Sequence, residues 1–285
     1  MTASTTLKTN GKFGPLWNQL LPIFLTLIVF LLLVAVLWLE IQVLNVSAHT
    51  GIALQIHLTD ILLGLTIYLK TSVDFAIFMA RLMENNTGLR SRIAIEIGTA
   101  VGNAAGTMVV LAIWAFFKEV EPLLALMILV AALVLFRLAE EGLEHAQEGY
   151  GRYPRWFQKC VFVLEYGLEK INKAIAPVLR YIVPKTDMSN RSSLRFWPLL
   201  GFAFTIPFIL GLDDFAGYVP VFSVVNVYGF AIGVFAGHML LNILLYISPA
   251  ATVRVVKNPI ISLVGSLAFI GLAIWGIVEV VHLLM

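Results

Sequence analysis

The chain has 285 residues, 60% of them hydrophobic and only 13% charged, with a net charge of +2. A mean hydropathy of +0.91 lies far outside the range of soluble domains and points to a polytopic membrane protein. So small a positive charge gives no reason to expect a nucleic-acid partner, and the lone cysteine, Cys160, excludes an intramolecular disulfide or a thiolate metal cluster.

The first residues, Met1 to Gly14, are polar and carry Lys8 and Lys12. The apolar run behind them outlasts a signal-peptide core and reads as a retained first helix. Seven segments are long and apolar enough to cross a bilayer: Leu16–Val43, Ala53–Leu82, Ile93–Phe117, Pro122–Leu138, Phe196–Val221, Val225–Ile247 and Pro259–Leu284. Cations alternate between the connections. Lys8 and Lys12 precede the first segment; Arg81, Arg90 and Arg92 flank the second connection; a basic stretch from Arg152 to Arg195 follows the fourth segment; Arg254 and Lys257 follow the sixth. The other connections are nearly bare. That alternation predicts a cytoplasmic N-terminus and an outside C-terminus, with the inner (plasma) membrane of a bacterium as the expected location.

An internal repeat organises the rest. Thr71-Ser72-Val73-Asp74-Phe75-Ala76 is matched by Gly211-Leu212-Asp213-Asp214-Phe215-Ala216, Gly98 to Asn103 by Gly233 to His238, and Glu121-Pro122 by Asn258-Pro259, each pair roughly 135–140 residues apart. Three helices per copy is an odd number, so the copies must enter the membrane from opposite sides. The expected fold is an all-α membrane protein of seven transmembrane helices, a leading helix plus an inverted 3+3 repeat, an architecture common in secondary transporters. The units are an N-terminal tail and first helix (1–50), a first three-helix repeat (51–138), a cytoplasmic amphipathic linker (139–195) and a second repeat (196–285). In the linker, Phe157, Val161, Leu164, Leu168, Ile171, Ile175, Val178 and Ile182 recur in steps of three and four, flanked by lysines, which predicts a helix lying on the membrane face or on the bundle.

Intramembrane carboxylates cost roughly 2.5–3.5 kcal/mol each at a helix centre and mark ion pathways. Asp74, Asp213 and Asp214 are therefore the leading candidate site residues. Lys70 lies one turn before Asp74 and could neutralise it when no cation is bound. Asn103 and His238 follow matched glycines, and Asn242 shares a helical face with His238; these supply neutral oxygen and nitrogen ligands. The expected metal ligands are Asp74, Asp213, Asp214 and His238, and all seven residues form the expected ion site. Glu96, Asp60 and Glu279 read as structural, Glu96 as a partner of Arg92 or Arg137. Gly98, Gly102, Gly106, Gly233 and Gly237 are spaced for close helix approach. The second and fifth segments are longer than a straight crossing needs, so they either tilt strongly or break near the aspartates; breaks at Thr71–Val73 and Pro207–Gly211 would free carbonyls to face a cation.

Ser72-Val73-Asp74, Arg90-x-Arg92 and Gly98, with Leu212-Asp213-Asp214, Val225-Asn226-Val227 and Phe230-Ala231-Ile232-Gly233, resemble the two halves of the TerC family, within the lysine-exporter superfamily of membrane cation transporters. The resemblance covers residues 55–284 apart from the central loop. It implies export of a metal cation, manganese first, with proton antiport as a drive. Asp74-Phe75 stands where the family has Asp-Asn, and Lys70 where it has an acidic residue. No catalytic constellation and no tightly bound cofactor is expected; the expected partners are membrane lipids, the transported metal ion (Mn2+) and a second copy of the chain as a homo-oligomer. Two alternatives remain open at this point. One is a non-transporting assembly or insertion factor; the other is an intramembrane aspartyl hydrolase, weakened by the missing Tyr-Asp and Pro-Ala-Leu elements. A retinal protein is set aside because Pro259–Leu284 has no lysine.

Overall fold

A computed structural model describes residues 15–47, 49–86, 88–147, 150–182, 194–216, 218–223 and 225–285, without the side chains of 15–22, 74, 150, 178–182, 212–216 and 223. Lys8, Lys12, Val178 and Ile182 of the sequence reading thus lie outside the described residues or side chains.

The described chain is all-helical. Its helices are α1 (Pro15–Ser47), α2 (Leu58–Thr71), α3 (Val73–Asn85), α4 (Leu89–Phe117), α5 (Glu121–Gln147), α6 (Arg155–Ile182), α7 (Phe196–Ala216), α8 (Val227–Ile247), α9 (Pro249–Val256) and α10 (Pro259–Leu284). Local signals set several ends. Asn226 caps α8 by accepting from Gly229 N, and Asn258 caps α10 by accepting from Ile260 N and Ile261 N, with Pro259 at the first helical position. Gly88, at φ 108°, makes the turn into α4.

Five of the described helices, α4, α5, α8, α10 and the Ile23–Ser47 part of α1, are long and apolar enough to cross a membrane. They fit an integral membrane protein. The expected count of seven is not reached by length alone, for two reasons. The second segment is broken: α2 ends at Thr71, α3 starts at Val73, and their axes diverge by 67°, so together they make at most one bent sixth span. The apolar part of α7, Phe196–Gly211, is shorter than 18 residues. The break at Ser72 falls where the sequence predicts one. The break expected at Pro207–Gly211 is absent, because α7 runs through Pro207 to Ala216. The turn before that proline is held from outside: a β-carbon on Gly98 would meet Leu200 O and Ala203, and one on Gly102 would meet Phe204 O.

Packing follows the glycines. A β-carbon on Gly64 would lie 2.2 Å from Phe230 O, and one on Gly233 would lie 2.2 Å from Ile61 O. Gly237 likewise faces Leu65 O and Tyr68. Helix backbones therefore touch along two seams, α2 on α8 and α4 on α7, while α5 lies along α10. The seams cross over: the glycine helix of each half rests on the aspartate-bearing segment of the other. α1 lies outside, on α4 and α8, and presents Thr26, Val29, Leu33, Leu37, Ile41 and Leu44, in steps of three and four, as its buried stripe. In the linker, α6 docks on α5 through Phe157, Val161 and Leu168, leaving Trp156, Phe162, Val163 and Tyr166 exposed. Ile171, expected in the buried stripe, is 41% exposed.

Replacing Gly233 by valine forces two backbones apart and is expected to cost about 1–3 kcal/mol. Gly201→Ala, with no heavy atom within 4 Å of the new carbon, should leave the protein as stable or slightly more so. Thermal unfolding in detergent of the two variants checks the contrast.

Candidate functional site

α4 turns a polar stripe inward: Glu96, Thr99, Asn103 and Thr107, at spacings of three and four, are all buried. α8 answers with His238 and Asn242, one turn apart, exposed by 1% and 0%. Polar groups in this position must find partners inside the protein. Tyr68 Oη, from the last turns of α2, lies 2.7 Å from His238 Nδ1. Asn242 Nδ2 lies 3.2 Å from His238 Nε2 and 3.4 Å from Thr99 Oγ1. The same amide faces Glu96, whose Oε1 accepts from Thr26 Oγ1 of α1 at 2.8 Å. Side chains from four helices, α1, α2, α4 and α8, thus meet in one buried polar cluster, and Phe75 of α3 stacks on the His238 ring at 5.2 Å between centroids.

The Asn242 amide, with its nitrogen toward the ring, sets the imidazole's role. Nε2 accepts the Asn242 amide proton, which leaves the ring proton on Nδ1, donated to Tyr68. Both nitrogens are occupied, so His238 must surrender one partner before it can ligate a metal. Among the described residues no group of three or more His, Cys, Asp or Glu is placed to hold a metal ion.

Of the expected site residues with described side chains, His238 and Asn242 touch each other. Asn103 Oδ1 lies 3.3 Å from where a β-carbon on Gly211 would stand, beside the Asp213–Asp214 segment. Asn103 packs by the segment that carries Asp213 and Asp214, and His238 by Phe75, next to Asp74. The side chains of Asp74, Asp213 and Asp214 lie outside the described residues; their backbones are helical, in α3 and α7. The two aspartate segments are tied directly: Tyr218 Oη, just past α7, donates to Thr71 Oγ1 at 2.5 Å, and Thr71 Oγ1 donates to Tyr68 O.

Lys70 points away from this chain of bonds. Its stem lies across Gly265 of α10, where a β-carbon would fall 1.8 Å from Cε, and its Nζ comes near Gly142 of α5. There it borders a cavity of about 20 Å³, measured at the centre of a water molecule, with Thr71, Val73, Leu138, Glu141, Gly142, His145 and Phe269.

Glu96 departs from its expected partners. Arg92 lies over the Tyr246 ring at 4.5 Å and Arg137 Nε pairs with Glu141 Oε1 at 2.9 Å, leaving Glu96 to Thr26 and Asn242. Tyr68, Thr99, Thr26 and Tyr218 are partners that sequence reasoning missed. The inward stripe on α4 was a usable signal for Thr99; nothing local marks the other three.

Compared with family models, with curated proteins and with solved structures, the chain finds no match in any of the three.

Thr26→Val keeps the shape of the side chain but removes one donor from a buried carboxyl, with an expected loss of about 1–3 kcal/mol. Thr205→Val, at an exposed hydroxyl that only bonds back to Gly201 O, should change the melting temperature little. Paired thermal melts measure the difference.

Proposed function

We propose that the chain is a secondary transporter that exports a metal cation, manganese first, with proton coupling, through paired intramembrane aspartates where two inverted three-helix halves meet. The observation that carries this reading is the Tyr218–Thr71 hydrogen bond, which holds the break before Asp74 against the end of the helix bearing Asp213 and Asp214. A broken helix at an intramembrane carboxylate is the device by which transporters expose backbone carbonyls to a cation.

Three further features support it. The crosswise seams, α2 on α8 and α4 on α7, with α5 along α10, are what a two-fold relation between halves produces. Asn103 and His238 stand at matched positions beside opposite aspartate segments. Hard oxygen donors with a neutral amide suit manganese. In this reading α2–α3 and α7 complete the count of seven crossings, the N-terminus is cytoplasmic, the C-terminus is outside, and the chain is a member of the TerC family in the lysine-exporter superfamily. Asp74, Asp213 and Asp214 hold the ion, Asn103 and Asn242 offer neutral oxygens, and His238 exchanges a hydrogen bond for the metal as the site fills. Lys70 stands at the edge of the path, beside the break at Ser72.

A second reading, a non-transporting assembly or insertion factor, draws on the apolar groups that α6 leaves uncovered, Trp156, Phe162, Val163 and Tyr166.

Asp74→Asn and Asp214→Asn are expected to fold, shown by unchanged gel-filtration profiles, and to lose most manganese flux in proteoliposomes. Wild-type flux in both variants overturns transport through these residues, and a stably co-purifying protein with no flux in the wild type favours the second reading.

A further inference from the structure

We propose that Lys70, Ser262 and Ser266 form a binding site for a small monovalent anion of halide size, separate from the cation site.

The argument starts from donors without acceptors. Among the described residues, Lys70 Nζ, Ser262 Oγ and Ser266 Oγ are buried and make no hydrogen bond. Both serines are fully buried. Buried hydroxyls in helices ordinarily return their proton to a carbonyl one turn back, as Thr107 does to Asn103 O and Thr252 to Ser248 O. Ser262 and Ser266 do not. They are successive turns of one face of α10, with Gly265 between them, and the stem of Lys70 fills the groove that Gly265 leaves.

The space is built from both sides. A β-carbon on Gly142 of α5 would stand 2.4 Å from Ser266 Oγ and 3.7 Å from Lys70 Nζ. Ammonium and hydroxyl therefore converge on the same glycine, at the wall of the cavity that Lys70 borders. Two donors converge there and a third, Ser262 Oγ, is left without a partner one turn earlier on the same face; such a group asks for an acceptor.

Charge decides which acceptor. The carboxylate at the cavity, Glu141, is paired with Arg137 Nε at 2.9 Å, so its charge is answered within α5. His145 also borders the cavity and brings no negative charge. The ammonium is left with its charge uncompensated by any described residue, a costly state away from bulk water. A water molecule would accept a proton from Lys70 but would leave that charge in place. One monovalent anion satisfies both demands. A cavity of about 20 Å³ admits a group the size of a water or a halide and rejects a bulky organic anion.

The test uses the purified full-length protein in detergent, melted in sodium bromide or chloride and in sodium gluconate at equal ionic strength. Halide is expected to raise the melting temperature along a saturable curve. Lys70→Met should flatten that curve, and the double variant Ser262→Ala/Ser266→Ala should shift its midpoint to several-fold higher halide. Asp74→Asn, at the proposed cation site, should keep the halide response, so loss of metal flux and loss of halide binding are separable. Identical melting in halide and gluconate overturns the site, as does a halide curve unchanged in Lys70→Met or lost in Asp74→Asn. If Lys70→Met does not fold, bromide-soaked crystals of the wild type decide: an anomalous peak within hydrogen-bonding distance of Lys70 Nζ supports the site, and its absence there overturns it.

Discussion

Four glycines leave no room for a β-carbon. At Gly64, Gly98, Gly102 and Gly233 the facing backbone oxygen stands where that carbon would be. Within a membrane the hydrophobic effect does not press helices together, so dispersion between closely fitted backbones has to do it. The rest of the arrangement depends on that fit. It sets α2 against α8 and α4 against α7, and this brings Tyr68 within reach of His238 and Asn242 within reach of Thr99. A larger residue at any of these glycines would move polar partners apart as well as helices.

The second constraint is the cost of leaving a polar group unanswered. The buried chain from Thr26 through Glu96, Asn242 and His238 to Tyr68 answers each side chain with another from a different helix. Such chains favour one register over its neighbours, since a slip of one turn would orphan several groups at once. The contrast within the same molecule is instructive. Around His238 nearly every donor has an acceptor. Around Lys70 the donors outnumber the acceptors, and the glycines that make room for them sit on α5 and α10 rather than on the helices of the hydrogen-bond chain.

Five of the long helices were legible in the sequence, because an apolar run of about 20 residues is a direct record of a bilayer's thickness. The break at Ser72 was legible too, since Asp74 and its polar neighbours interrupt an otherwise apolar run. Pro207 misled for a physical reason. A missing N–H predicts a break only where nothing else holds the turn, and α4 holds it through Gly98 and Gly102. The short helix α9, started by Pro249, passed unnoticed as a loop between basic residues. Site residues were harder. His238 and Asn242 could be paired from their spacing, but Tyr68 is 170 positions away in the chain, and a glycine announces close approach without naming what approaches. Lys70 was read against Asp74 from helical spacing alone. Only the positions of Gly142 and Gly265 show that its ammonium is directed toward α5 and α10.

The crossing seams also constrain how such a molecule can move. Each tightly joined couple, α2 with α8 and α4 with α7, takes one member from either half of the chain. Sliding within a couple would drive carbonyl oxygens off the glycines and into the side chains beside them, so the mixed couples, rather than the two halves read off the sequence, are the natural solid pieces. The turn at Ser72 and the residue Tyr218, between α7 and α8, lie at the junctions of these pieces, and the Tyr218–Thr71 hydrogen bond binds one junction to the other.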